Sequence, residues 1–393
     1  MTGEGPVCAS DPGHVSLALI VREWARIGCI GFGGPPTHIK LLRELCVQRR
    51  GWLDAREFED AIAVCNLLPG PASTELAIFC AWRLRRRPGA LAGGLAFIIP
   101  GLIVILALAA LFLAKSPPLW VLGAGAGAGA AVPAVAIHAG AGLAGASWQR
   151  RQQTLRWVAY LIAGAAAAAT IGEWLVLVLL ACGFIELAAQ LDHSRGDGGK
   201  AAGLATAAKV AVGTVGSGVL LSVVWVAFKV GALSWGGGFV IVPLMQADAV
   251  SHYHWMTGAQ FLNAVALGQI TPGPVVQTVA VVGYAAAGLA GGVLASVVAF
   301  TPSFAFILLG AGRFDQIRGD RRARGFLAGA GPAAIGAILG SAIPLARSLS
   351  HPWQYAILAA ALIMLLLAHR GVVVTLLGAG VVGVIIALVA GLS

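Results

Sequence analysis

The sequence predicts an all-α polytopic membrane protein: an inverted repeat of two homologous halves, with about ten transmembrane helices plus two re-entrant Pro-Gly-Pro hairpins. Three observations lead there. Charged residues are only 11% of the chain and hydrophobic ones 59%, at a mean hydropathy of +0.87, where soluble proteins carry about a quarter charged residues. Apolar runs of about 20 residues, the length that crosses a hydrocarbon core, recur along the chain. The two halves also repeat one another. The first observation excludes a globular soluble enzyme and a disordered chain, and eleven Trp, fourteen Phe and four Tyr are few for the aromatic girdles of a β-barrel.

The apolar runs fall at 15–31, 57–82, 89–114, 119–146, 157–172, 174–191, 203–228, 258–286, 288–311, 325–346, 353–368 and 371–392. Each is long enough, or nearly so, to span roughly 30 Å; the first is the weakest, because Arg22 interrupts it. Residues 123–130 alternate Gly and Ala. Small residues let helices approach closely where lipid supplies no hydrophobic drive, within the chain or across a homodimer. The hydrophilic stretch 194–200 lies near the middle, giving repeats over 1–192 and 203–393 joined by a cytoplasmic linker, 193–202.

Shifting the chain by 203 residues aligns 28–77 with 231–280 without a gap. Gly28, Gly33, Gly34, Trp52, Phe58, Ala61, Ala63 and Pro69-Gly70-Pro71 fall on Gly231, Gly236, Gly237, Trp255, Phe261, Ala264, Ala266 and Pro272-Gly273-Pro274. Duplicated halves are a common build for secondary transporters. Charge orients the copies. Loop 38–56 holds Lys40, Arg43, Arg49, Arg50 and Arg56, whereas its counterpart 241–259 has no Lys or Arg. The positive-inside rule makes the first loop cytoplasmic and the second external, so the halves have opposite topology. The net charge of +10 thus reads as orientation in a lipid membrane, with no nucleic acid as partner.

Segment 57–82 has basic residues at both ends, Arg56 before it and Arg83, Arg85, Arg86 and Arg87 after. Pro and Gly break it at 69–71 into pieces too short to span. A re-entrant hairpin satisfies both facts, and 258–286 mirrors it from outside. Broken backbone persists at depth only where it is buried in protein or lines a polar cavity.

After each Pro-Gly-Pro a new half-helix begins, with Pro71 and Pro274 suited to its first turn. Its unpaired N–H groups and positive dipole end point into the break, a ready anion site. Ser73 and Thr74 add hydroxyls in the first copy, Gln277 and Thr278 polar groups in the second, and Asn66 and Gln269 put an amide before each break. The competing reading is that Pro-Gly-Pro merely kinks two spanning helices. Gly33 and Gly34, with Gly236 and Gly237, permit irregular backbone or close helix contact, and no GxxxxGK[ST] phosphate loop follows. Arg26 and Lys229, at equivalent positions, either balance a bound dianion or snorkel to the interface.

Glu75, four residues after Pro71, is a proton-carrier candidate because acids at such depth are rare. Its alternative is an ion pair with an arginine among 83–87, and its counterpart at the 203-residue shift is Thr278. His38 titrates near neutral pH when unperturbed and is a second candidate. Glu59, Asp60, Glu173 and Glu186 read as interfacial or helix-end acids, His138 as packing, and His252 with His254 as a metal pair lacking a third ligand. Cys8, Cys29, Cys46, Cys65, Cys80 and Cys182 show no paired spacing and read as reduced apolar fillers. No nucleophile, carboxylate dyad, zinc signature or cofactor motif supports an enzyme.

Phe32-Gly33-Gly34-Pro35 with His38, then Arg50 and Trp52, then LPGPAS at 68–73, resemble the N-terminal domain of the chromate ion transporter family. Trp235 to Met245 and QITPGP at 269–274 resemble its C-terminal domain, so the resemblance spans both halves. It implies a multi-pass protein of the bacterial inner membrane that exports chromate, driven by membrane potential or a proton gradient, with sulfate as a structural mimic. The dianion would bind at the two half-helix N-termini. Asn66 and Glu75 stand where the family commonly has Gln, and Trp235 where it has Phe. Glu75 beside a dianion is either protonated when substrate binds, which couples transport to protons, or faces away. A sulfate or other oxyanion transporter, and a passive anion channel, are alternatives on the same scaffold.

Overall fold

The computed structural model describes residues 15–66, 68, 70–149, 151, 153–170, 174–194, 218–234, 239–313 and 321–390. Among these residues all regular structure is helical. In the first half, α1 (Leu17–Ile30) is capped by Ser16, whose Oγ accepts from the Leu19 N–H. The glycine run follows, with Gly33 and Gly34 at φ of +94° and +76°, where side chains are disfavoured. Pro35 then opens α2 (Pro35–Arg43), which loosens into a π turn, Glu44–Arg49. Asp54 caps α3 (Ala55–Cys65), and the broken stretch after it leads into α4 (Ala72–Phe112). α5 (Leu119–Gln149), α6 (Thr154–Thr170) and α7 (Leu175–Ser194) complete the half.

The second half runs α8 (Val219–Ala232), α9 (Ile241–Gln246) with a π turn Ala247–His252, and α10 (Gly258–Ile270), held by a Thr257–Gln260 capping box. A 3₁₀ turn, Val275–Gln277, leads into α11 (Thr278–Gly310). Then come α12 (Arg321–Arg347), α13 (Pro352–Leu362) with a π turn Ile363–Leu367, and α14 (Val372–Ala390). The linker expected at 193–202 and most of the apolar run 203–228 lie outside the described residues, as do Cys8 and Glu173.

α4 and α11 are each two helical legs folded back on one another. Arg85 (φ −141°, ψ 28°) and Arg86 (φ 50°, ψ −137°) turn the first, Ala287 (φ −148°, ψ 30°) and Gly288 (φ 63°, ψ −155°) the second. Glycines let the legs touch: a Cβ at Gly89 would strike the Ala81 carbonyl, and one at Gly291 the Gly283 carbonyl. The first leg of α4, residues 72–84, is roughly 20 Å long and too short to cross a membrane.

The geometry of the first half recurs in the second. The π turns at 44–49 and 247–252 stand 203 residues apart, as do the positive-φ positions Gly51 and His254. Past the breaks the offset becomes 202. The turns at Arg86 and Gly288 obey it, as do Pro100 and Pro302 inside the second legs. Two helix crossings span both offsets: a Cβ at Gly28 would sit 2.5 Å from the Phe97 carbonyl, and one at Gly231, 203 residues on, would strike that of Ala299, 202 residues on. One residue is lost because the second copy enters its half-helix through a 3₁₀ turn, which takes fewer residues per turn than the α-turn of the first. This corrects the pairing read at a constant shift: the counterpart of Glu75 is Gln277, not Thr278.

Among the described residues five helical stretches are long and apolar enough to cross a membrane, within 72–112, 119–149, 275–310, 324–347 and 372–389, the first and third including the folded-back pairs of legs; four shorter apolar helices accompany them. Leu91, Leu95, Ile99 and Ile103, four residues apart on α4, are 45–64% exposed, a stripe that water would penalise and lipid accepts. The Gly/Ala run packs within the chain. Gly123 and Gly127 of α5 meet Gly383 and Ala379 of α14, while Gly125 and Gly129 lie against Asn263 of α10. In parallel, α6 meets α12, where a Cβ at Gly164 would strike the Ala333 carbonyl. The late helices of each half thus clasp an earlier helix of the other.

Candidate functional site

The first break ends at Pro71, the N-cap of α4, one position ahead of the first-turn place expected for it. Thr74 and Glu75 N–H groups donate to the Pro71 carbonyl at 2.8 and 3.1 Å and close the first turn. Ser73, Thr74 and Glu75 are buried. Among the described residues, neither Glu75 carboxyl oxygen nor Thr74 Oγ1 has a hydrogen-bond partner. The carboxyl lies over Gly70: a Cβ there would strike Glu75 Oε1 and lie 3.2 Å from Ser303 Oγ. Ser303, on the second leg of α11, is fully buried and also without a partner. The arginine partnership weighed for Glu75 is not formed, and Arg83 pairs with Glu57 instead.

The second break has the same plan with different atoms. A Cβ at Gly273 would lie 3.2 Å from Gln277 Oε1, and one at Gly101, the counterpart of Ser303, 2.5 Å from the same oxygen. Gln277 Nε2 donates to the Ile98 carbonyl at 2.6 Å, which fixes its amide orientation and leaves Oε1 unpartnered. Thr278 Oγ1 donates to the Val275 carbonyl at 2.8 Å. The Gly273 N–H crosses between halves and donates to the Gly31 carbonyl at 3.1 Å. Gln269, before the break, is buried with Nε2 unpartnered, whereas its match Asn66 is exposed at the α3 C-terminus.

His38 joins the two breaks. Its Nε2 lies 2.9 Å from the Gly31 carbonyl, which only accepts, so Nε2 carries the proton. Its Nδ1 is 3.3 Å from Ser73 Oγ, which donates to it in the neutral tautomer. Burial of the ring pulls its pKa down to about 4, so His38 is neutral where a proton carrier would titrate. Lys229 is engaged by Asp248 at 2.7 Å and Arg26 is exposed. Gly33 and Gly34 form the turn into α2, and a Cβ at Gly34 would touch Val275 at 3.4 Å, beside the second break. Pro69, Gly236 and Gly237 lie outside the described residues.

His254 Nδ1 donates to the Val250 carbonyl at 2.8 Å and the residue holds a left-handed turn, and no three metal-ligating side chains cluster among the described residues. Glu186 is buried and binds Tyr160 at 3.1 Å. Cys46, Cys65, Cys80 and Cys182 are buried free thiols, while Cys29 is free and exposed. Ser303 escaped the sequence reading. Its signal was Pro302, which pairs with Pro100 only once the 202-residue offset is known.

Buried, unpartnered polar groups between helices with lipid-compatible faces fit a multi-pass membrane protein with a polar site in its interior. Residues 18–187 and 221–384 match the family described as chromate transporter, and the chain belongs to that family. It is 32% identical over 367 residues to a chromate transport protein of Cupriavidus metallidurans, covering 90% of this chain and 89% of that one. It is 29% identical over 358 residues to a chromate transport protein of Pseudomonas aeruginosa, covering 86% and 82%. No solved structure matches the chain.

Proposed function

We propose that the chain exports chromate across the bacterial inner membrane by alternating access, with the dianion held where the half-helices begin. What supports this reading most is the group of buried, unpartnered polar atoms at the start of α4, in a chain related over most of its length to chromate transport proteins. Helix N-termini favour negative charge, and desolvated donors bind it better than exposed ones. The basic loop 38–56 against the uncharged-by-Lys/Arg loop 241–259 supports halves of opposite orientation, whose breaks approach the midplane from opposite sides.

Carrying a dianion outward moves two negative charges down an inside-negative potential, about 2.3 kcal/mol per charge per 100 mV. The potential alone therefore drives export, and a proton on Glu75 removes the one negative side chain in the first break. Uptake of labelled chromate into inverted membrane vesicles tests the reading. Energised, saturable uptake that sulfate inhibits and an uncoupler reduces supports it. Uptake no better than in vesicles lacking the protein refutes chromate as substrate, and non-saturable flux without counterflow points to a passive channel.

A further inference from the structure

We propose that the two breaks are unequal, and that the oxyanion is held at the first one by Thr74, by Ser303 contributed from the second half, and by Glu75 in its neutral acid form. This rests on the transport reading above and specifies which atoms of that site do the binding.

The inference comes from an inventory of donors. At the second break most donors are engaged within the protein: one N–H of Gln277 Nε2 by Ile98, Thr278 Oγ1 by Val275, and the Gly273 N–H by Gly31. The atom left over there, Gln277 Oε1, is an acceptor that repels an anion. Gln269 Nε2, at the end of α10 beside the break, is a buried donor without a partner among the described residues, so the second break keeps one side-chain amide against the two hydroxyls and the acid of the first. At the first break the Thr74 and Ser303 hydroxyls are fully buried and unpartnered, and each can donate. The counterpart of Ser303 is Gly101, which has no side chain to offer. Buried hydroxyls without partners are costly in an apolar interior unless a ligand satisfies them.

Glu75 decides the chemistry. As a carboxylate it would confront the anion with like charge and no donor; as an acid it becomes a third donor and matches the amide at Gln277. Ser303 of α11 lies beside it over Gly70, and the buried thiol of Cys65 on α3 is a neighbouring titratable group. His38 of α2 has both ring nitrogens engaged by Gly31 and Ser73, and Glu23 of α1 is paired with Arg50. No hydrogen bond or ion pair reaches the Glu75 carboxyl among the described residues.

The test is sulfate and chromate binding to the purified full chain in lipid nanodiscs, by titration calorimetry between about pH 6 and pH 9. Ser303→Ala should weaken binding about tenfold, equivalent to about 1.4 kcal/mol, and Ser303→Thr should restore it. The parent should lose affinity as pH rises, and Glu75→Gln should lose that pH dependence. Ser303→Ala binding as tightly as the parent, or Glu75→Gln keeping the parent's pH profile, overturns the inference and leaves the transport reading intact. A parent chain that binds neither anion while transporting chromate in vesicles overturns the inference too. Failure of both binding and transport overturns the two together.

Discussion

A single carbonyl, that of Gly31, receives hydrogen bonds from His38 and from the Gly273 N–H, and so holds the two breaks to one glycine turn. The His38 ring is kept neutral for that task. Its native pKa, about 4, lies below the ordinary value of 6.5, so the unfolded chain takes up the proton first. The ring's contribution is complete above about pH 6.5 and is lost as pH falls toward 4. We expect the thermal midpoint of the purified protein to drop across that window, and the drop to be shallower in His38→Gln. An equally steep acid limb in the variant would remove His38 as its cause. At the same scale, Lys229→Met should destabilise the protein, since it removes the cation 2.7 Å from the buried carboxylate of Asp248. Chemical unfolding of the two proteins measures the difference.

The fold-back turns carry the prediction at the level of elements. Arg86 sits at φ 50°, ψ −137°, a conformation suited to glycine, and its counterpart in α11 is Gly288. Arg86→Gly should therefore stabilise the protein by about 1 kcal/mol, even though it removes the stacking of the guanidinium on Trp82 at 4.5 Å. Gly89→Val should instead prevent the legs of α4 from closing, because its side chain would meet the Ala81 backbone. Loss of monodisperse protein in size-exclusion chromatography would show it. These turns explain what the sequence could and could not disclose. The breaks were legible because Pro-Gly-Pro inside an apolar run interrupts the helix whether it makes a re-entrant turn or a kink. The turn after the first leg was legible as a change of direction from the Arg cluster at 83–87, but not as a sharp reversal, since an arginine occupies the position that calls for glycine. The pairing of Glu75 with Gln277 was hidden because a 3₁₀ turn and an α-turn have no distinct side-chain signature. Ser303 was hidden with it, since a residue 228 positions from Glu75 joins its site only through the packing of α4 on α11.

Orientation belongs to the whole molecule. The proposed opposite orientation of the halves predicts that cysteines placed at Ser116 and Ser251 react with an impermeant maleimide added to intact cells, and one at Gln48 only after the membrane is opened, in a background with Cys8 and Cys29 replaced by serine. All three positions are exposed. Equal labelling of Gln48→Cys and Ser251→Cys from the same side would mean that the two halves point the same way. Neither half packs by itself: α5 is clasped by α13 and α14 and meets α10, while α12 receives α6 and α7.

That clasp has a consequence for biosynthesis. The glycine face of α5 at 123 and 127 meets its partner only when residues near 379–383 exist. A ribosome adding roughly 5–20 residues per second leaves that face without its partner for tens of seconds, during which a helix of Gly and Ala with almost no side-chain grip must rest in the bilayer. The first-made half is thus a guest of the insertion machinery until the last helix arrives, and a ribosome that stalls before α14 leaves behind a fragment with a surface that quality-control proteases can recognise.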